Sequence, residues 1–201
     1  MQNPREEIAG VVHGLTTTSS PVEQLRTLEK YFVSDAAFDH PLCRVDRSPE
    51  SRDMVADIYQ WYKILSPSIE LRVKNVVFDE QAKLLFLDCV QTFHVFVSPM
   101  EPTPAHFVVK LELRLDSDGL YRIIKQTDFY QPEDLANLTL GPFVSSIIGF
   151  LKHVATQFCY VGAFSFQTVF CWWNPVRRPL VPWAHVEWFR TRSPVGMAKV
   201  A

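Results

Sequence analysis

A chain of 201 residues, 47% of them hydrophobic, is long enough for one full domain with an appendage and short for two independent cores. Its formal net charge of −2 carries no basic excess, which argues against a nucleic-acid partner. The four cysteines, Cys43, Cys89, Cys159 and Cys171, form no C-x-x-C pair, so they suggest neither a zinc site nor a disulfide framework and read as buried thiols.

From the N-terminus, NPREEIAGVVHGL lacks the basic start and continuous apolar run of a secretory signal, and a cytoplasmic setting is expected for the main domain. Three segments then open with a capping residue followed by proline: Asn3-Pro4, Ser20-Pro21 and Ser48-Pro49. Proline suits the first helical turn, where its missing N–H would have no intrahelical partner, so each reads as a helix start. In the first two, Glu6 and Glu23 complete a capping-box pattern. Ile8, Val11, Val12 and Leu15 form the apolar stripe of the first helix; Val22, Leu25, Leu28 and Phe32 form that of the second. Met54, Val55, Ile58, Trp61, Tyr62 and Leu65 share one face of the third, which Ser66-Pro67 ends.

From Ile69 the periodicity becomes extended. LRVKNVVFD, KLLFLDCVQTFHVFV, HFVVKLELRLD and GLYRIIKQTDFY are rich in β-branched and aromatic residues and predict four strands. They are separated by Asp79-Glu80-Gln81, a proline-rich link over 98–104, and Asp116-Ser117-Asp118-Gly119, whose Asp-Gly ending favours a tight hairpin. In the third strand Phe107, Val109, Leu111 and Leu113 alternate with Lys110, Glu112 and Arg114, so one face packs on apolar cover and the other meets water. The three helices supply that cover in an α+β layer architecture.

This order of helix, helix, a short extended DHPLCRV piece, helix and a four-strand meander, with YFVSDAAFDHP before the third helix and a closing strand running into TDFYQPEDL, resembles the nuclear transport factor 2-like superfamily, including its SnoaL-like cyclases and ketosteroid isomerases. The resemblance covers about residues 3–135, and similarity along the whole chain points to the fungal SigF-like group. It implies a cone: a curved, mostly antiparallel sheet wrapped round the helices, with a pocket open at one end. Members use that pocket for isomerisation, dehydration, cyclisation or protein binding, so the fold alone selects no activity.

In isomerase-like relatives the segment similar to YFVSDAAFDHP ends in two acids and a proline, and the second acid is the general base. Here that place holds His40, before Pro41 and after Asp39, which is itself a ligand-binding candidate. A histidine can shuttle protons near neutral pH, although the pair also suits a simple turn. The resemblance makes Asp128, on the closing strand with Gln126 at the same parity, the second acid–base candidate; a strand end reaching solvent is the alternative. His94 is a further ligand-binding candidate or a structural histidine, whereas His106 shares its parity with Lys110 and Glu112 and belongs to the wet face. Tyr59 and Tyr62 on the third helix either line the pocket, offering phenols to a substrate oxygen, or are plain core. Related isomerases carry such a tyrosine on the first helix, where this chain has only His13.

Nothing in the sequence matches a glycine-rich phosphate loop, a G-x-S-x-G elbow, an H-E-x-x-H pair or an EF-hand, so neither cofactor nor metal is expected. Residues 142–173 are almost wholly apolar, with Lys152 and His153 the only ionisable side chains apart from cysteine and tyrosine. Such a stretch could make one span, a hairpin broken near Gly149 or Gly162, or helices lying in a lipid interface; a pocket lid or a dimer face would also use it. Arg177, Arg178, Arg190 and Arg192, with Trp172, Trp173, Trp183 and Trp188, favour attachment to a membrane or lipid droplet from the cytosolic side.

The expected organisation is therefore a cone domain over 1–135, a hydrophobic helical or hairpin extension over 136–176 and a basic, aromatic tail over 177–201. The expected function is binding of a hydrophobic small molecule, such as a polyketide, terpenoid or steroid-like compound, with cofactor-free isomerisation, cyclisation or dehydration at a membrane surface. A scaffold module that forms a homodimer or docks a partner is the alternative. An interior hollow of several hundred cubic ångströms would favour the first, and a filled core the second.

Overall fold

The computed structural model describes residues 1–94, 102, 104–139 and 141–169. Positions 95–97 of the expected second strand, most of the 98–104 link, the end of the apolar stretch at 170–173 and the 177–201 tail lie outside the described residues. The elements run α1 (Pro4–Thr16), α2 (Pro21–Tyr31), β1 (Phe32–His40), β2 (Cys43–Val45), α3 (Ser51–Leu65), β3 (Ile69–Asp79), β4 (Leu84–Phe93), β5 (Pro104–Leu115), β6 (Tyr121–Tyr130), α4 (Pro132–Thr139) and α5 (Pro142–Val169). Contacts cluster the chain into two units, Met1–His153 and Val154–Ala201; the first holds the sheet.

The helix starts follow from their caps, with one exchange of partner. Ser20 Oγ accepts the Glu23 amide at 3.3 Å, as the second capping pattern requires. At α1 it is Glu7, not Glu6, whose carboxylate accepts the Asn3 amide at 2.8 Å. The third helix begins at Ser51, two residues beyond Pro49, because the buried Ser51 hydroxyl donates to Ala36 O at 2.8 Å and to Ser48 O at 2.9 Å, fastening the helix start to β1. Only Ser51, Val55, Ala56 and Tyr59 of α3 are buried; Met54 and Trp61, expected on the packed face, are exposed. Small residues at the contact let α3 sit close to β1, which narrows its covered stripe.

Six strands, not four, form one curved sheet in the order β2-β1-β6-β5-β4-β3. The four expected strands make an antiparallel meander. The additions are β1 and β2, of which only the short extended piece over 39–45 was expected: the helix stops at Tyr31, and Phe32–His40 runs parallel to β6 before returning as β2 across Pro41 and Leu42. Bulges interrupt the register between Phe32 and Ala37, between Val73 and Asn75, and between Glu112 and Leu113, and such extra residues bend the strands that carry them. Gly119 takes φ 76° in the β5–β6 hairpin, a left-handed conformation that glycine adopts without strain.

The core lies between the helices and the inner face of the sheet. Ile8, Leu15, Leu28 and Val55 meet Phe38, Leu85, Leu87, Leu111 and Ile123, all at most 2% exposed. Full burial of such a side chain contributes roughly 1.5–3 kcal/mol. The expected alternation in β5 holds, with Phe107, Val109, Leu111 and Leu113 inward. In β6 it holds only from Gln126 onward, because the bulge opposite Glu112 and Leu113 turns Ile123 rather than Ile124 into the core.

Candidate active site

The parallel register of β1 on β6 pairs Phe38 with Gln126 and Asp39 with Thr127, which carries His40 alongside Asp128 on the neighbouring strand. Alternation then turns Phe38 and His40 from β1, and Gln126, Asp128 and Tyr130 from β6, toward the helices. Tyr59 and Tyr62, three residues apart on α3, face the same space. Together with residues of α1 and the inner faces of β3, β4 and β5 they line a cavity of about 40 Å³. That is room for a water or two, well below the several hundred cubic ångströms expected of a ready-made ligand pocket. Its wall contains the rings of Phe32, Phe38, Phe93 and Phe107, and the stacked pair Phe107–Tyr130 lies at 4.6 Å between centroids.

The polar groups form a chain at one side. The Tyr59 hydroxyl donates to Gln126 Oε1 at 2.8 Å, and Gln126 Nε2 donates to Asp128 Oδ1 and Oδ2 at 2.9 and 3.2 Å. Among the described residues no lysine or arginine lies in that chain or lines the cavity. Burial therefore dominates and pushes the Asp128 carboxyl up to about 7, with the charge of Asp39 adding to it and the Gln126 amide opposing. Burial also raises the phenols of Tyr59, Tyr62 and Tyr130 far above their ordinary value and keeps them as neutral donors.

His40 is tuned the other way. Burial lowers its pKa to about 4, so the ring is neutral at neutral pH. Its Nδ1 accepts the Leu42 amide at 3.2 Å and lies 3.4 Å from the Tyr62 hydroxyl, which assigns the remaining ring proton to Nε2. The Pro41–Leu42 turn is thus also what sets the tautomer. A carboxyl raised to about 7 on the same cavity wall as a neutral imidazole N–H is an arrangement able to move a proton and to donate to an oxygen.

Of the sequence candidates, His40, Asp128, Tyr59, Tyr62 and Gln126 come together on this wall. Asp39 does not: one residue before His40, it points to the other face of β1 and acts on Asp128 only through its charge. His94 does not either. It follows β4 at the outward parity, with its side chain 40% exposed and Nε2 3.5 Å from Glu70 Oε1. His106 is exposed on the outer face, as expected. Sequence reasoning missed Gln91, buried on the cavity wall; as a polar residue continuing the inward series Leu85, Leu87 and Cys89, it could have been found from the alternation alone. It also missed Tyr130 and Cys43, whose Sγ lies 3.4 Å from the Tyr62 hydroxyl. Among the described residues no group of three or more His, Cys, Asp or Glu side chains is placed to hold a metal ion.

A curved sheet closed on three helices, with polar groups converging on an inner apolar hollow, is the nuclear transport factor 2-like fold shared by ketosteroid isomerases and SnoaL-like proteins. Solved structures agree. A candidate SnoaL-like polyketide cyclase from a Jannaschia species is similar at 13% identity and TM-score 0.50, over 69% of this chain and 93% of its own. Another from Shewanella putrefaciens gives 12% and 0.50, over 67% and 84%. A hypothetical protein with a ketosteroid isomerase-like fold from Catenulispora acidiphila, solved with trimethylamine, gives 12% and 0.50, over 64% and 88%. At these identities the likeness is one of fold. The SigF NTF2-like domain matches residues 1–171, and the chain belongs to that family. No curated protein matches it significantly.

Proposed function

We propose that the unit Met1–His153 binds a small, largely apolar molecule bearing a carbonyl or hydroxyl oxygen and moves a proton on it without a cofactor, in an isomerisation, cyclisation or dehydration. Asp128 is the proton-exchanging group. His40 Nε2–H and the Tyr62 hydroxyl donate to the oxygen, while Gln126 and Tyr59 hold the carboxyl. The observation that carries this reading is a buried carboxyl with no cation beside it among the described residues, raised to about 7 and aimed at an aromatic hollow. A protein gains no stability from such a group, and perturbed carboxyls of this kind concentrate at sites of chemistry. The absence of lysine and arginine from the wall favours an uncharged substrate, and the polyketide cyclases named among the fold's solved members suggest its class. With about 40 Å³ free, binding requires side chains to move apart, Phe93 and Tyr62 foremost, since their rings meet edge to face at 6.2 Å across the wall.

The tight interior also favours a second reading, a non-catalytic module that docks a partner or a second copy on the outside of the sheet. There Val77 stands opposite Phe86, and Val108 opposite Phe129, all exposed. One experiment separates the two. The full chain is incubated with small cyclic ketones in D₂O, and deuterium uptake beside the carbonyl is followed by NMR. Uptake accelerated by the wild type and lost in Asp128→Asn supports proton transfer. An unaccelerated reaction, together with no small molecule released on solvent extraction of the purified protein, favours the docking module.

A further inference from the structure

The longest helix lies outside the proposed chemistry, since no residue lining the cavity comes from beyond Tyr130. α5 runs unbroken through Gly149 and Gly162, so neither glycine makes the hairpin turn considered from the sequence. Its stretch Phe143–Phe166 is long and apolar enough to cross a membrane. Its pattern argues for a different placement. Phe143, Ile147, Phe150, Leu151, Phe158 and Val161 recur at helical spacing and fall within one sector of about 100°, with exposed Tyr160, Phe164 and Phe166 outside it near the C-terminal end. Each is at least 42% exposed. Ser145, Lys152, Thr156 and Ala163 occupy the opposite side, and Lys152 Nζ is held by Glu133 Oε2 of α4 at 2.5 Å.

A span beginning at Phe143 would place Lys152 about 14 Å down the helix, at the middle of a hydrocarbon layer, together with the carboxylate that pairs with it. A helix lying in the plane of the surface leaves that ion pair in water and sinks only the phenylalanine stripe. We propose that α5 is an in-plane lipid-binding helix that inserts its Phe143–Val161 stripe into one leaflet and does not cross it. The sequence that follows carries five basic residues against one acidic, Arg177, Arg178, Arg190, Arg192 and Lys199 against Glu187, and so complements anionic headgroups.

The test uses the full chain in flotation with vesicles of phosphatidylcholine alone and with roughly one-third phosphatidylserine. The wild type floats with both, and more strongly with the anionic vesicles. Phe158→Asp and Ala163→Asp place the same charge five residues apart, about 140° round the helix. The first reduces vesicle-bound protein about tenfold and the second leaves it within about twofold, with circular dichroism confirming that both variants fold. Equal loss in the two variants would mean a span and overturn the proposal. So would a wild type that fails to float, whether it elutes as a dimer split by Phe158→Asp, which assigns the stripe to a second copy, or as a monomer. None of these readouts depends on Asp128, so the proton-transfer reading stands or falls separately.

Discussion

The two ends of β6 treat the same residue type in opposite ways. At its start, Arg122 bridges Asp116 and Asp118, and Arg114 adds a second cation to Asp116; hydrogen bonds from these guanidinium groups hold both carboxyls below their usual range. At its end, Asp128 is offered an amide and a phenol-bearing chain but no positive charge, and burial raises it to about 7. One strand of ten residues therefore runs from a charged cluster at the β5–β6 hairpin, which water could replace, to a neutral one that water could not. The first is solubility and turn geometry. The second has no such purpose, and that contrast is the physical reason for placing chemistry at Asp128.

The sharpest way to break this contrast is Asp128→Asn, which keeps the shape and one acceptor for Gln126 Nε2 but removes the exchangeable proton. Proton transfer followed by deuterium uptake should fall about 10²- to 10⁴-fold. A protein equally active with asparagine there would move the acid–base role elsewhere.

The next largest effect is on stability against pH, measured by urea denaturation. Asp128 has a folded pKa above its unfolded value, so the folded state holds the proton longer, and its contribution is lost as pH rises from about 4 to about 7, by up to about 4 kcal/mol. His40 has a folded pKa below its unfolded value, so stability rises with pH from about 4 to about 6.5. In the wild type the two slopes oppose one another. His40→Phe should unmask the fall with rising pH, and Asp128→Asn the rise. Two variants with the same slope would contradict the assignment.

Tyr59→Phe comes third: it leaves the buried Gln126 Oε1 without its donor and should cost about 1–3 kcal/mol in the same assay. Smallest is Arg122→Ala. It should change stability little, and that little should vanish in high salt, because its partners lie at the surface. A large, salt-independent loss there would erase the distinction between the two ends.

The helices, the meander and the inward faces of β5 were legible because each is encoded locally, by caps, turn residues and a period of two. His40 and Asp128 were legible as candidates, and alternation after the bulge carried Gln126 with them. The strand β1 was legible only at its end, in the short extended piece over 39–45. Ser34, Asp35, Ala36 and Ala37 are poor strand formers, and their extended state comes from pairing with β6, far away in sequence. That Asp39 faces away from His40 was hidden for the same reason: an extended piece of a few residues does not say which of two neighbours faces inward. The size of the hollow was not legible either, since it depends on how rings such as Phe107 and Tyr130 stack, and composition does not report packing.

The insertion of β1 between its hairpin mate and the last strand also bears on the order of folding. The meander β3–β6 can assemble from near neighbours, whereas His40 meets Asp128 only after a loop spanning most of the unit has closed. Ring closure of that length makes the proposed acid–base pair a late arrival, so recovery of the proposed proton transfer on refolding should lag behind recovery of β-sheet signal.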